Sequence, residues 1–134
     1  MIPSGNTVLT TELKVVKQPS KQHRMDLDNS RITGTCDSLE AVRQSIFKIM
    51  NTERYDYLIY SWNYGIELAD LFGHPPMYVC PEIGRRVKEA LLQDDRITGV
   101  DNFEFDTSNK GVVSVTFTVH TLFGDLNEEM VVNI

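Results

Sequence analysis

Near the C-terminus, Val113, Val115, Phe117 and Val119 alternate with Ser114, Thr116, Thr118 and His120, and no other stretch limits the possible folds as tightly. Alternation at every second residue puts the apolar side chains on one face of a strand and the polar ones on the other. The segment therefore fits a sheet with one buried face. Turn-forming residues bound it on both sides, Asn109-Lys110-Gly111 before and Gly124-Asp125 after. Ile97 to Phe105 leads into the first turn, and Met130, Val132 and Ile134 follow the second, so the pattern predicts a three-stranded antiparallel meander.

A half-buried sheet needs a cover, and two amphipathic segments upstream can supply it. Leu39, Val42, Ile46, Ile49 and Met50 recur at spacings of three and four, while Glu40, Arg43 and Lys48 face water. Asp37 is placed to cap this helix, with Glu40 completing a capping box, and the helix should run to about Asn51. A second helix is predicted over 81–93: Pro81 suits a first helical position, and Ile83, Val87, Ala90 and Leu91 form a stripe opposite Arg85, Arg86, Lys88 and Glu89. The expected class is α+β, two amphipathic helices packed on a mostly antiparallel sheet that ends in the meander.

The segment from Tyr55 to Gly65 is dense in aromatic and β-branched residues and reads as a strand ending near Gly65. Glu67 to Phe72 reads as a short helical turn stopped by Gly73, with extended backbone at Pro75-Pro76. Ahead of the first helix, Met25, Leu27 and Ile32 flank Asp28-Asn29-Ser30, which predicts a small hairpin between Arg24 and Thr35. Residues 1–22 hold Pro3, Gly5 and Pro19 and keep no period, so they are expected to form an extended arm ordered on a partner, leaving 23–134 as one domain.

The formal charge of -6 over 134 residues removes the basic stripe that nucleic-acid binding requires. No apolar run approaches the roughly 20 residues of a membrane span, and no secretory pattern opens the chain, so a cytoplasmic site of synthesis is expected.

Catalytic patterns are equally absent. Glu53, Glu67, Asp70, Asp94, Asp95 and Glu104 could supply a carboxylate pair for glycoside hydrolysis, but nothing in their spacing marks one pair out. Cys36 and Cys80 could pair with His23, His74 or His120 as a nucleophile and base; Cys80, just before the expected helix start, is the better placed, and the plainer reading is a small residue at a helix start. The glycines occur singly rather than as a phosphate loop, and no metal-ligand spacing is present. No catalytic residue, metal or cofactor is expected.

Three features suit binding instead. Asn51-Thr52-Glu53-Arg54 can form a salt-bridged corner, or merely a surface ion pair. Asp94 and Asp95 oppose the dipole of the helix they follow and so require another purpose, such as a turn with Arg96 or a partner's basic group. Tyr60, Trp62 and Tyr64 combine apolar bodies with polar tips, a composition enriched at protein interfaces, although a central strand with one buried face would use them too.

These motifs also carry a resemblance. The helix, Glu53-Arg54, the aromatic segment, Tyr64-Gly65-Ile66-Glu67-Leu68 and Phe72-Gly73 resemble the Gly-Glu-Arg and Phe-Gly pattern of the lysozyme-like baseplate wedge family of contractile tails, with Thr52 in place of its glycine. Asp94-Asp95-Arg96 is similar to the family's Glu-Pro-Arg motif, Asp95 replacing the proline. Within that family the likeness is to XkdS-like proteins of PBSX-type prophages and extends from about Arg24 to Phe123. The resemblance implies a sheath initiator, related to the wedge component of type VI secretion baseplates and placed with sixfold symmetry. It implies contacts to sheath protein, to other wedge proteins and to the tail tube, through Glu53, Arg54, Asp94, Asp95, Arg96 and the neighbouring aromatics. Assembly would take place in the bacterial host cytoplasm, and the finished protein would sit in the baseplate of a phage or phage-like particle. The family's lysozyme label makes a peptidoglycan hydrolase the alternative. An edge strand completed by another chain suits the assembly role, with Val8 to Val16 and Met130 to Ile134 as candidate segments.

Overall fold

The computed structural model describes residues 19–134. Most of the expected arm, including Val8 to Val16, lies outside them. Strands β1 (Gln22–Asp26) and β2 (Arg31–Cys36) form the expected hairpin, helix α1 spans Ser38–Met50, and helix α2 spans Pro76–Leu91. Strands β3 (Ile97–Asp106), β4 (Val112–Thr121) and β5 (Gly124–Asn133) form an antiparallel sheet in the order β3-β4-β5.

Register follows from the alternation. Val113 pairs with Val132, Val115 with Met130 and Val119 with Leu126, so these residues share the face that both helices cover. Phe117, Val113, Val115 and Val119 are essentially inaccessible, and Val42, Ile46 and Ile49 of α1 meet Val79, Ile83, Val87 and Leu91 of α2 in the same core. The opposite face is polar. Asp101, Glu104 and Asp106 of β3 pair with Thr118, Thr116 and Ser114 of β4, which in turn face Asn127, Glu129 and Val131 of β5. At Gly84 a side chain would press on the Phe105 ring at 3.4 Å, so glycine lets α2 approach β3.

Five expectations need correction. Asp37 does cap α1, but its carboxylate takes the Ser38 N–H at 2.7 Å, and Glu40 pairs with Arg24 of β1 at 3.0 Å instead of closing a capping box. Helix α2 starts at Pro76 rather than Pro81, because the earlier turns add fully buried Val79 to the apolar stripe. The hydrogen bond that Pro81 cannot donate would run to Met77, which is 91% exposed, so water can satisfy the carbonyl left over. The segment from Tyr55 to Gly65 is a series of turns and not a strand. Strand propensity reflects packing on neighbouring strands, and among the described residues no strand pairs with this segment to supply it. The fourth correction concerns Cys80: it sits inside α2 rather than at its start, and burial pushes its thiol above the ordinary value, away from the reactive range. Cys36 and Cys80 are both free. The last correction is the second meander turn, which falls at Leu122-Phe123: Gly124 and Asp125, expected to form it, instead open β5 and pair with Thr121 and His120. The short helical turn before α2 is a 3-10 helix over Ala69–Leu71.

Candidate partner-docking face

Residues 54–65 form a loop whose two ends are tied together. Ile66 donates its N–H to the Thr52 carbonyl at 3.0 Å, and Arg54 donates its own to the Ile66 carbonyl at 3.1 Å, making a single parallel bridge between Glu53 and Ile66. Gly65 sits at the closure with φ +92°, and a Cβ there would lie 2.5 Å from the Thr52 oxygen. Only glycine fits.

Glu53 and Arg54, singled out in the sequence, are the fasteners of this loop. The Arg54 side chain is 8% exposed; its Nε and Nη2 donate to the Gly65 carbonyl at 3.3 and 3.2 Å, and its Nη1 donates to Glu89 at 2.9 Å. The Glu53 carboxylate accepts the N–H groups of Leu68 and Ala69 at 3.0 and 3.1 Å, satisfying free donors at the start of the 3-10 helix. The fold thus uses their charges internally.

The fastened loop projects its apolar residues outward. Leu58 is fully exposed, and Ile59 and Trp62 are each 85% exposed. Tyr60 stacks on Tyr64 with ring centroids 4.5 Å apart, while Tyr55 and Trp62 meet edge to face at 6.0 Å. Tyr64 is half-buried, and burial, helped by the nearby charges of Tyr60 and Asp94, pushes its phenol above the ordinary value. Contiguous exposed apolar surface of this kind marks an interaction site.

Asn63 joins the loop to the turn after α2 by donating to Gln93 at 2.8 Å. In that turn the Asp94 carboxylate accepts the backbone N–H and Nε of Arg96 at 3.0 Å each and its Nη2 at 2.7 Å. Arg96 also donates to Ser45 of α1 at 2.9 Å, tying the turn to the first helix. Burial opposes ionisation of Asp94, but the Arg96 hydrogen bonds and charge outweigh it and hold the carboxyl below its ordinary value. Asp95 is exposed. The fold therefore sets Tyr64 beside Asp94, while Asp95 and Arg96 line a separate hollow with Asp94 and Gln22. A groove of about 250 Å³ between the loop and this turn is lined by Asn63, Tyr64, Gln93 and Asp94.

Of the carboxylates considered for hydrolysis, Glu53, Asp70 and Asp94 are held in internal hydrogen bonds and ion pairs. Asp70 pairs with buried Arg86, whose hydrogen bonds outweigh desolvation and hold Asp70 below its ordinary value. A general acid needs the opposite shift. Among the described residues, no group of three or more His, Cys, Asp or Glu side chains is arranged to hold a metal, and no helix is long and apolar enough to cross a membrane.

Sequence reasoning missed a second surface, between α1 and the edge of β5. Phe47 lies there 42% exposed, on the side of α1 that carries Arg43. Its signal was an aromatic residue outside the apolar stripe.

The family described as the contractile injection system sheath initiator matches residues 14–124. A curated relative, the phage-like element PBSX protein XkdS of Bacillus subtilis strain 168, is 40% identical over 121 residues, covering 87% of this chain and 85% of that protein. A solved structure from Geobacter sulfurreducens described as a tail lysozyme superposes with a TM-score of 0.59 at 19% identity, over 71% of this chain and 89% of its own, a likeness of fold alone. With the family matching most of this chain and a relative aligned over 87% of it, the chain belongs to the contractile injection system sheath initiators.

Proposed function

We propose that this chain is a structural baseplate protein that starts sheath assembly in a contractile tail, with no turnover of substrate. Its 23–134 domain engages wedge proteins through the aromatic loop and the Asp94-Asp95-Arg96 turn. Sheath is joined by strand exchange at the meander edge, and the arm of residues 1–22 is a second exchange segment. The supporting observation is the fastened loop, which holds Leu58, Ile59 and Trp62 in water where a monomer gains nothing from them. Glu53, Arg54 and Arg96 act on this reading by fixing the shape of the face, while Tyr60, Trp62, Tyr64 and Asp95 touch the partner. Contact with the tail tube and sixfold placement follow from the family analogy, as does assembly in the host cytoplasm.

The reading is tested by co-expressing the chain with the sheath and wedge proteins encoded beside it and measuring complex mass by size exclusion with light scattering. The full chain should form complexes with both. Replacing residues 55–64 by a short glycine-serine linker should abolish the wedge complex, and removing 130–134 or 1–20 should weaken the sheath complex. A full chain that remains alone with every partner defeats the proposal. Hydrolysis predicts instead that the chain clears peptidoglycan and loses the activity when one carboxylate becomes an amide.

A further inference from the structure

Resting on that reading of strand exchange, we propose that β5 selects the strand it accepts: large apolar residues at alternate positions facing the helices, and basic residues between them facing out. Strand β5 ends the sheet, so its outer side pairs with no other strand among the described residues. An added strand would lie about 4.8 Å from β5 and send its side chains alternately to the two faces. The two faces differ sharply.

On the helix side the added strand meets a groove made of two joined hollows, about 280 and 320 Å³, which share Phe47 and Glu128. Met50 and Met130 line the first, while Met25 and Leu27 of the hairpin line the second. Methionine adapts to varied apolar shapes, and Phe47 stands at the junction as a rigid wall. Two ion pairs, Arg43–Glu128 at 3.1 Å and Arg24–Glu40 at 3.0 Å, rim the groove. Inward-facing charged residues would have to lose water there without a free partner.

On the outer face the added strand meets Asp125 and Glu129 of adjacent β5, while Asp101, Glu104 and Asp106 lie on β3 at the far edge of the sheet, where salt screens them. The three strands contain no lysine or arginine, and His120, their only group able to carry positive charge, already engages Asp125 and Asp101, so Glu129 is the β5 acid that an incoming basic residue would meet first. Charges on neighbouring strands attract when opposite and repel when alike, so basic residues on the outward positions of the incoming strand are favoured and acidic ones disfavoured. The occupant that satisfies both faces is an extended apolar-basic segment of the sheath protein.

The test titrates the full chain with synthetic 12-residue peptides tiled across the sheath protein encoded beside it, and with the intact sheath protein, by fluorescence anisotropy. A tile with the apolar-basic alternation should bind, more weakly as salt rises. Phe47→Asp should weaken it about tenfold or more, the cost of desolvating a charge against apolar residues, while Phe47→Leu keeps most of the affinity. Leu27→Asp attacks the same groove from the hairpin and covers the case in which Phe47→Asp fails to fold. Binding only by tiles that lack the alternation, or equal affinity of the folded Asp variants, overturns the selection rule while leaving the sheath-initiator reading intact. If the intact sheath protein does not bind at all, that reading fails as well.

Discussion

At the scale of single residues, two positions carry more than their size suggests. Gly65→Ala would force a Cβ against the Thr52 carbonyl, 2.5 Å away, in a backbone region that favours glycine. Opening the loop closure should cost on the order of 1–3 kcal/mol, seen as a lower urea midpoint with the slope unchanged. His120 is the other. Its Nδ1 lies 2.8 Å from Asp125 and its Nε2 2.9 Å from Asp101, and two carboxylates can both accept only if both ring nitrogens carry protons. Hydrogen bonds to Asp125 and then Asp101 raise the imidazole pKa above the ordinary 6.5, with partial desolvation opposing them. Because the folded value is the higher one, the stability this link adds is complete below about pH 6.5 and is lost as pH rises through the raised folded value. Thermal melts from pH 6 to 9 should show that decline in the wild type and a flatter profile in His120→Gln; identical profiles would dismiss the link.

At the scale of elements, α2 shows how a strong local signal can mislead. Pro81 reads as a helix start because proline removes an internal donor, yet Pro76 occupies the first position and Val79 fixes the extra turns by its burial. Pro81→Ala should restore one backbone hydrogen bond and raise stability by about 1 kcal/mol, net of the freedom returned to the unfolded chain. A differential scanning calorimetry midpoint that falls would show that the freedom returned to the unfolded chain outweighs the restored hydrogen bond. The aromatic segment failed as a strand for the opposite reason. Its residues suit a pleated surface, but among the described residues no strand pairs with them, and Tyr55 enters the loop with a left-handed φ of 74°. The helix stripes and the meander were legible because their periods record burial directly.

At the scale of the whole molecule, the core is shared by α1, α2 and the inner face of the meander, while the aromatic loop, apart from Tyr64, hangs outside it. Replacing 55–64 by a linker should therefore leave the thermal midpoint within a few degrees of the wild type even as the wedge complex is lost; a large drop would mean that the loop supports the core. By itself the sequence determined the α+β class, the first helix, the apolar stripe of the second though not its start, the three-stranded meander with the inward residues of its central strand, and the family. Each of these rests on periodicity or on motifs that neighbouring residues define. Only the tertiary structure decided that Glu53 and Arg54 fasten a loop, that Asn63 reaches Gln93 to join the loop to the Asp94 turn, and that Phe47 overlooks a sheet edge left unpaired among the described residues. Those relations depend on which distant segments the shared core brings together, and side-chain spacing along the chain does not encode that distance.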